Sequence, residues 1–125
     1  MQFTFKKEEK LKSKKLIKQL FEKGSTLKEF PLRMVYLKVE LGTGYPVKAS
    51  FSVSKHKFKL AVDRNRIKRL MRECYRKNKY KLYQNIENEF ILMFTYIDEK
   101  EHKYVDIEEK MIHLMTKLIQ KSKKE

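Results

Sequence analysis

The chain has 125 residues, 41% of them hydrophobic, and a formal net charge of +15. That length supports one domain with a modest core and excludes two. A single cysteine rules out an internal disulfide, and no apolar run approaches the roughly 20 residues that a bilayer span needs.

The charge is unevenly placed. Residues 1–86 carry 24 Lys and Arg against 7 Asp and Glu, whereas residues 87–125 carry 7 against 9. A charge serving only solubility would not divide so sharply. A basic concentration of this kind is the electrostatic footprint of a nucleic-acid binder. The first ten residues have no apolar stretch of the secretory type, so a soluble, cytoplasmic protein is expected. The expected organisation is one domain over 1–125, with a flexible lead-in over about residues 1–10 and a disordered tail over 121–125.

In chain order, Ser13 can cap a short helix over residues 14–23, with Leu16, Ile17, Leu20 and Phe21 on one face. Gly24 is expected to end it in a left-handed turn. Pro31 introduces a strand over 32–40, with Val35, Leu37 and Val39 on one side and Met34, Tyr36 and Lys38 on the other. Gly42 and Gly44 mark a turn. The strand over 47–54 alternates cleanly: Val47, Ala49, Phe51 and Val53 belong to a core, and Lys48, Ser50, Ser52 and Ser54 form a polar row. Residues 55–59 are a polar link.

Residues 59–79 then hold nine Lys or Arg against two acids. With Asp63 as the N-cap of a helix running to about residue 83, Ile67, Leu70, Met71 and Cys74 fall on one stripe. Arg64, Lys68, Arg69, Arg72, Arg76 and Lys79 fall on the opposite side. Arg64 and Arg66 lie in the first turn, where the helix dipole disfavours cations, a placement better suited to a bound polyanion than to helix stability. A basic amphipathic helix can also bind anionic membrane, but the apolar stripe here is committed to a core, so no membrane partner is expected. Residues 89–97 are almost continuously apolar and β-prone, a strand covered on both faces. Strand 47–54, helix and strand 89–97 have the form of a parallel βαβ unit. The last helix, over 105–120, carries Ile107, Met111, Leu114 and Leu118 as its packing stripe.

No catalytic motif is present. His56, His102 and His113 are read as surface residues, with His56 in the basic half able to touch phosphate. Cys74, on the apolar stripe, is read as buried and inert. The sparse acids of the basic half do not cluster as a Mg²⁺-dependent nuclease requires. No catalytic or metal-binding residue of the protein is therefore expected, and electrostatics alone leaves RNA and DNA both open.

The stretch Ala61-Val62-Asp63-Arg64-Asn65-Arg66-Ile67-Lys68-Arg69-Leu70-Met71-Arg72-Glu73, preceded by Phe51-Ser52-Val53-Ser54-Lys55, resembles the signature of the bacterial ribonuclease P protein subunit. Phe21 and Gly24, the apolar strand and the closing helix fall in the same order as in that family, so the resemblance covers most of the chain. It implies an α+β fold, a two-layer sandwich like the second domain of ribosomal protein S5, with a left-handed βαβ crossover and helices packed on a small sheet. It also implies an RNA-binding subunit of a ribonucleoprotein endoribonuclease that removes the 5′ leader of precursor tRNA. The catalytic centre would belong to an RNA subunit that uses Mg²⁺. Its partners would be that catalytic RNA and precursor tRNA, with no protein partner implied. On matching positions, the resemblance places Arg64, Asn65, Arg66, Lys68, Arg69, Arg72 and Arg76 at the catalytic RNA. It places Phe21, Tyr36, Ser52, Ser54 and Lys55 in the leader cleft. The chain departs from the family pattern at Ile17, where many members carry a second Phe, and in the link Lys57–Val62, which lacks the usual glycine and carries one extra residue. A ribosomal or ribosome-assembly RNA-binding protein is the alternative.

Overall fold

The computed structural model describes residues 4–123. After a 3₁₀ turn at Lys7–Glu9, the elements are α1 (Lys14–Lys23), β1 (Ser25–Glu29), β2 (Leu32–Val39), β3 (Val47–Val53), α2 (Ala61–Tyr83), β4 (Glu89–Tyr96) and α3 (Tyr104–Lys123). The four strands form one sheet in the order β1-β2-β4-β3. β4 pairs antiparallel with β2 and parallel with β3, so α2 is the crossover between two neighbouring parallel strands.

The alternation read from β2 and β3 determines what each sheet face buries. Met34 and Tyr36, Val47 and Ala49, and Phe90, Leu92 and Phe94 face α2 and α3, where Ile67, Met71, Cys74, Met111, Leu114 and Leu118 complete the main core. Val35, Ile91 and Met93 face the other way, against Leu20 of α1 and Leu11, with Leu16 and Ile17 at the margin. β4 is thus covered on both faces, which is why its sequence is nearly all apolar. Ile17 serves this second packing layer rather than presenting an aromatic ring.

Several expectations need correction. α2 starts at Ala61, with Leu60 at the cap and no side-chain cap bond, so Asp63 is a first-turn residue. Arg64 and Arg66 therefore lie three positions deeper relative to the helix start than the Asp63 cap implied. Lys79 does not face solvent: it is 1% exposed. β1 was not anticipated; its sequence, Ser-Thr-Leu-Lys-Glu, has little apolar alternation and it is held as an edge strand by β2. The lead-in is docked where it is described: Leu11 N–H donates to Ala49 O at 2.9 Å, and Lys10 bridges Ala49 in parallel register. α3 runs on through Lys123, and the remainder of the expected tail lies outside the described residues.

Gly24 ends α1 in extended backbone (φ −72°, ψ 160°), not in a left-handed turn. Its need for glycine is steric. A Cβ there would stand 2.3 Å from Leu20 O and 2.9 Å from Val35 Cγ1. Since the first of these is helix backbone, Gly24→Ala should destabilise the protein by about 2–3 kcal/mol, read as a lower urea midpoint. An unchanged midpoint would mean that α1 can lift from the sheet without cost.

Candidate nucleic-acid interface

The residues expected to meet RNA divide into groups once α2 is seated. Asn65, Arg69 and Arg72 are exposed on its outer side, and no carboxylate partner is recorded for them among the described residues. Lys68 is half-buried beside them. The outer face adjoins a groove of about 600 Å³ lined by Val62, Asn65, Arg66, Arg69, Leu70 and Glu73. Its polar and apolar walls would admit a phosphate-bearing chain together with a base or sugar face.

The other three α2 cations expected at the RNA, Arg64, Arg66 and Arg76, are already engaged. Arg64 Nη1 donates to Phe58 O and Lys59 O, both at 2.8 Å, and clasps the glycine-less link against the helix. Phe58 in that link tilts onto the Tyr96 ring at 5.9 Å. Arg66 bonds Glu101 and Asp63, each at 2.8 Å. These two carboxylates, Glu101 first, raise its pKa further above its ordinary value. Arg76 is bidentate to Glu73, which holds the Glu73 carboxyl below its usual range. For a polyanion, Arg66 and Arg76 are cations that must exchange one partner for another.

The residues expected in the leader cleft do not all share one surface. Phe21 is 59% exposed on α1, which lies on the sheet face opposite α2 and α3. Ser52 is on that same face and shares a 2.9 Å hydrogen bond with Thr95. Ser54 spends its hydroxyl on the turn after β3, accepting from His56 N–H at 3.1 Å, and Lys55 is exposed in that turn. Tyr36 is the exception. It is buried on the α2/α3 side, edge-on to Phe90 at 6.3 Å, and does not line the cleft. Alternation puts Tyr36 on the opposite side of β2 from Val35, and Val35 packs under α1.

Sequence reasoning missed a cross-sheet row. Lys28 is in register with Arg33, Arg33 with Thr95, and Thr95 with Ser52. Register partners share a face, so two cations and two hydroxyls line up beyond the part of the sheet that α1 covers. The pairing of β1, which local pattern did not reveal, is what brings Lys28 there.

The remaining titratable groups offer no acid–base pair beside this surface. Burial pushes the Cys74 thiol up to about 12, so it is inert. His102 does have a carboxylate partner, Asp98 at 2.6 Å, and His113 stands 3.4 Å from Glu29; neither carboxylate had been anticipated. The first contact lies within the loop between β4 and α3, and the second links the edge strand β1 to α3. Among the described residues, no group of three or more His, Cys, Asp or Glu is placed to hold a metal ion. No helix among them is long and apolar enough to cross a membrane.

Residues 5–119 match the family model described as Ribonuclease P. The chain is 42% identical over 83 residues to a ribonuclease P protein component of Porphyromonas gingivalis, covering 64% of this chain and 58% of that one. It is 44% identical over 71 residues to the corresponding protein of Chlorobaculum tepidum, covering 54% of this chain and 46% of that one. The chain thus spans about half the length of these curated relatives. The fold is that of the RNase P protein from Thermotoga maritima (TM-score 0.70, 19% identity, covering 87% of this chain and 96% of that one). It is equally that of the Staphylococcus aureus RNase P protein (TM-score 0.69, 19% identity, covering 86% and 93%). With the family model matched along nearly the whole sequence, and with the basic α2 face and small α+β fold in place, the chain belongs to the ribonuclease P protein family.

Proposed function

We propose that this protein is the RNA-binding subunit of ribonuclease P, assisting removal of the 5′ leader from precursor tRNA. The observation that carries this reading is the outer face of α2, where Asn65, Arg69 and Arg72 are exposed and not ion-paired among the described residues. An amide set among arginines suits a shaped RNA surface, because it can donate and accept at once, whereas a plain charge patch has no use for it. This face docks on the catalytic RNA. The opposite sheet face, with Phe21, Ser52, Lys55 and the Lys28–Arg33–Thr95–Ser52 row, takes the single-stranded leader. Cations there hold phosphates and Phe21 offers a stacking surface, which suits a leader of variable sequence. The Mg²⁺ of the reaction belongs to the RNA, and the protein's contribution is binding and orientation.

A processing assay on precursor tRNA tests this. The protein alone should give no cleavage. Added to its own organism's catalytic RNA, it should support cleavage at Mg²⁺ concentrations where the RNA alone is slow. Cleavage by RNA-free protein, or no stimulation of that RNA, would overturn the reading and reopen the ribosome-assembly alternative.

A further inference from the structure

The N-terminal strap, residues 4–12, is held by a device that RNA docking on α2 does not call for. Glu9 and Lys79 are each 1% exposed and form a buried ion pair. Lys79 Nζ also donates to Thr4 O. The Glu9 carboxylate accepts from Lys6 N–H at 2.7 Å and from Tyr83 OH at 2.9 Å. Among the described residues, no buried side-chain polar atom lacks a hydrogen-bond partner. Taking two charges out of water costs several kcal/mol each, and an apolar pair would often serve stability as well or better. What an ion pair adds is one geometry. Here it ties a single point of the strap to the C-terminal part of the basic helix.

That geometry has a result. With Glu9 turned into the core, the flanking Lys10 is half-buried with its Nζ 5.8 Å from the centroid of the Phe5 ring, and Leu11 N–H donates to Ala49 O. Phe5 packs edge-on against Phe51 at 5.9 Å and Tyr75 at 5.8 Å. The strap then closes a pocket of about 320 Å³ whose lining includes Phe5, Lys10, Lys12, Ser50, Phe51 and Arg72. Three cations reach it from two elements, no acid lines it, and none of the three is in an ion pair among the described residues. Ser50 is two residues from Ser52 on the same side of the edge strand β3, so the pocket lies beside the end of the polar row. Like charges gathered without a counter-charge repel one another, a cost that a bound anion removes.

We propose that this strap pocket is a phosphate site for one RNA strand, with Lys10, Lys12 and Arg72 as its contacts, and that Glu9 is a positioning residue acting through Lys79. The proposal rests on the function proposed above and adds a site to it. The phosphate can come from the precursor's leader or from the catalytic RNA, and the two sources are separated below.

The test compares wild-type protein with Lys10→Ala/Lys12→Ala, using two probes: a short fluorescein-labelled single-stranded RNA, and the catalytic RNA subunit. The double variant should bind one probe roughly tenfold more weakly, with its salt slope reduced by about 1–2. The affected probe identifies the source. Lys121→Ala/Lys123→Ala removes the same charge from the end of α3 and should change little. Equal losses from both double variants would show general electrostatics and overturn the site. So would wild-type binding of both probes by Lys10→Ala/Lys12→Ala. If the wild-type protein binds neither RNA, the functional reading itself has failed, a distinct result.

The positioning role has its own readout. Glu9→Met/Lys79→Met should fold, yet exchange the Leu11 amide faster and bind the affected probe as weakly as Lys10→Ala/Lys12→Ala. Adding the two lysine changes to it should weaken binding no further. A folded Met/Met protein that binds like wild type would overturn the role of Glu9.

Discussion

Lys79→Met should lower the unfolding free energy by about 3–5 kcal/mol, the largest effect expected of any single conservative-volume change in α2. The substitution leaves the Glu9 carboxylate in the core with only Lys6 N–H and Tyr83 OH to offset its lost hydration. It also removes the donor to Thr4 O, which anchors the start of the strap. For a protein of ordinary stability, this is a large part of the total. Urea denaturation followed by circular dichroism measures it. The second substitution, Glu9→Met in the same chain, should restore most of the loss, because the uncompensated charge is then gone and two apolar side chains fill the space. A Lys79→Met loss below about 1 kcal/mol would place the pair in the solvated class of surface ion pairs. Burial of both partners to the same degree argues against that outcome.

The second large effect concerns RNA. Arg69→Ala/Arg72→Ala should weaken binding to the catalytic RNA by roughly 100-fold near physiological salt and cut the salt slope by about 2, while leaving the unfolding midpoint unchanged. Both side chains are exposed, and neither has a recorded carboxylate partner among the described residues, so the fold loses little when they go. The wild-type affinity should itself fall by orders of magnitude between roughly 50 and 200 mM salt. A flat salt response, or a matching loss of stability, would contradict a docking role for this face. Arg64 is a poor probe of the same idea. Its guanidinium holds two carbonyls of the link before α2, so its removal confounds folding with binding. Arg66 is confounded differently: the pairing with Glu101 and Asp63 offsets part of any gain from a phosphate.

What local pattern could reveal is everything governed by a short-range period. The 3.6-residue stripe of α2, the two-residue alternation of β3 and the unbroken apolar run of β4 each follow from which side chains must leave water. The basic face of α2 followed too, since charge is a property of composition. The family signature added a fold that alternation alone does not contain.

What local pattern could not reveal depends on contacts between distant segments. Tyr36 sits in a strand whose two faces are both covered, so alternation separated Tyr36 from Val35 without saying which of them would meet α1. β1 has no apolar signal of its own and exists because β2 offers it a partner, and only that pairing brings Lys28 into line with Arg33, Thr95 and Ser52. Arg66 meets Glu101 across 35 positions. Lys79 is the clearest case. By residue type it belongs to the cationic face, and by angle it borders Tyr75 and Leu82 on the core side. Composition determined that this helix is basic. The strap, crossing from 70 positions away to present Glu9, decided that one of its lysines lies in the core, because only an anion brought by tertiary structure can offset the cost of burying that charge.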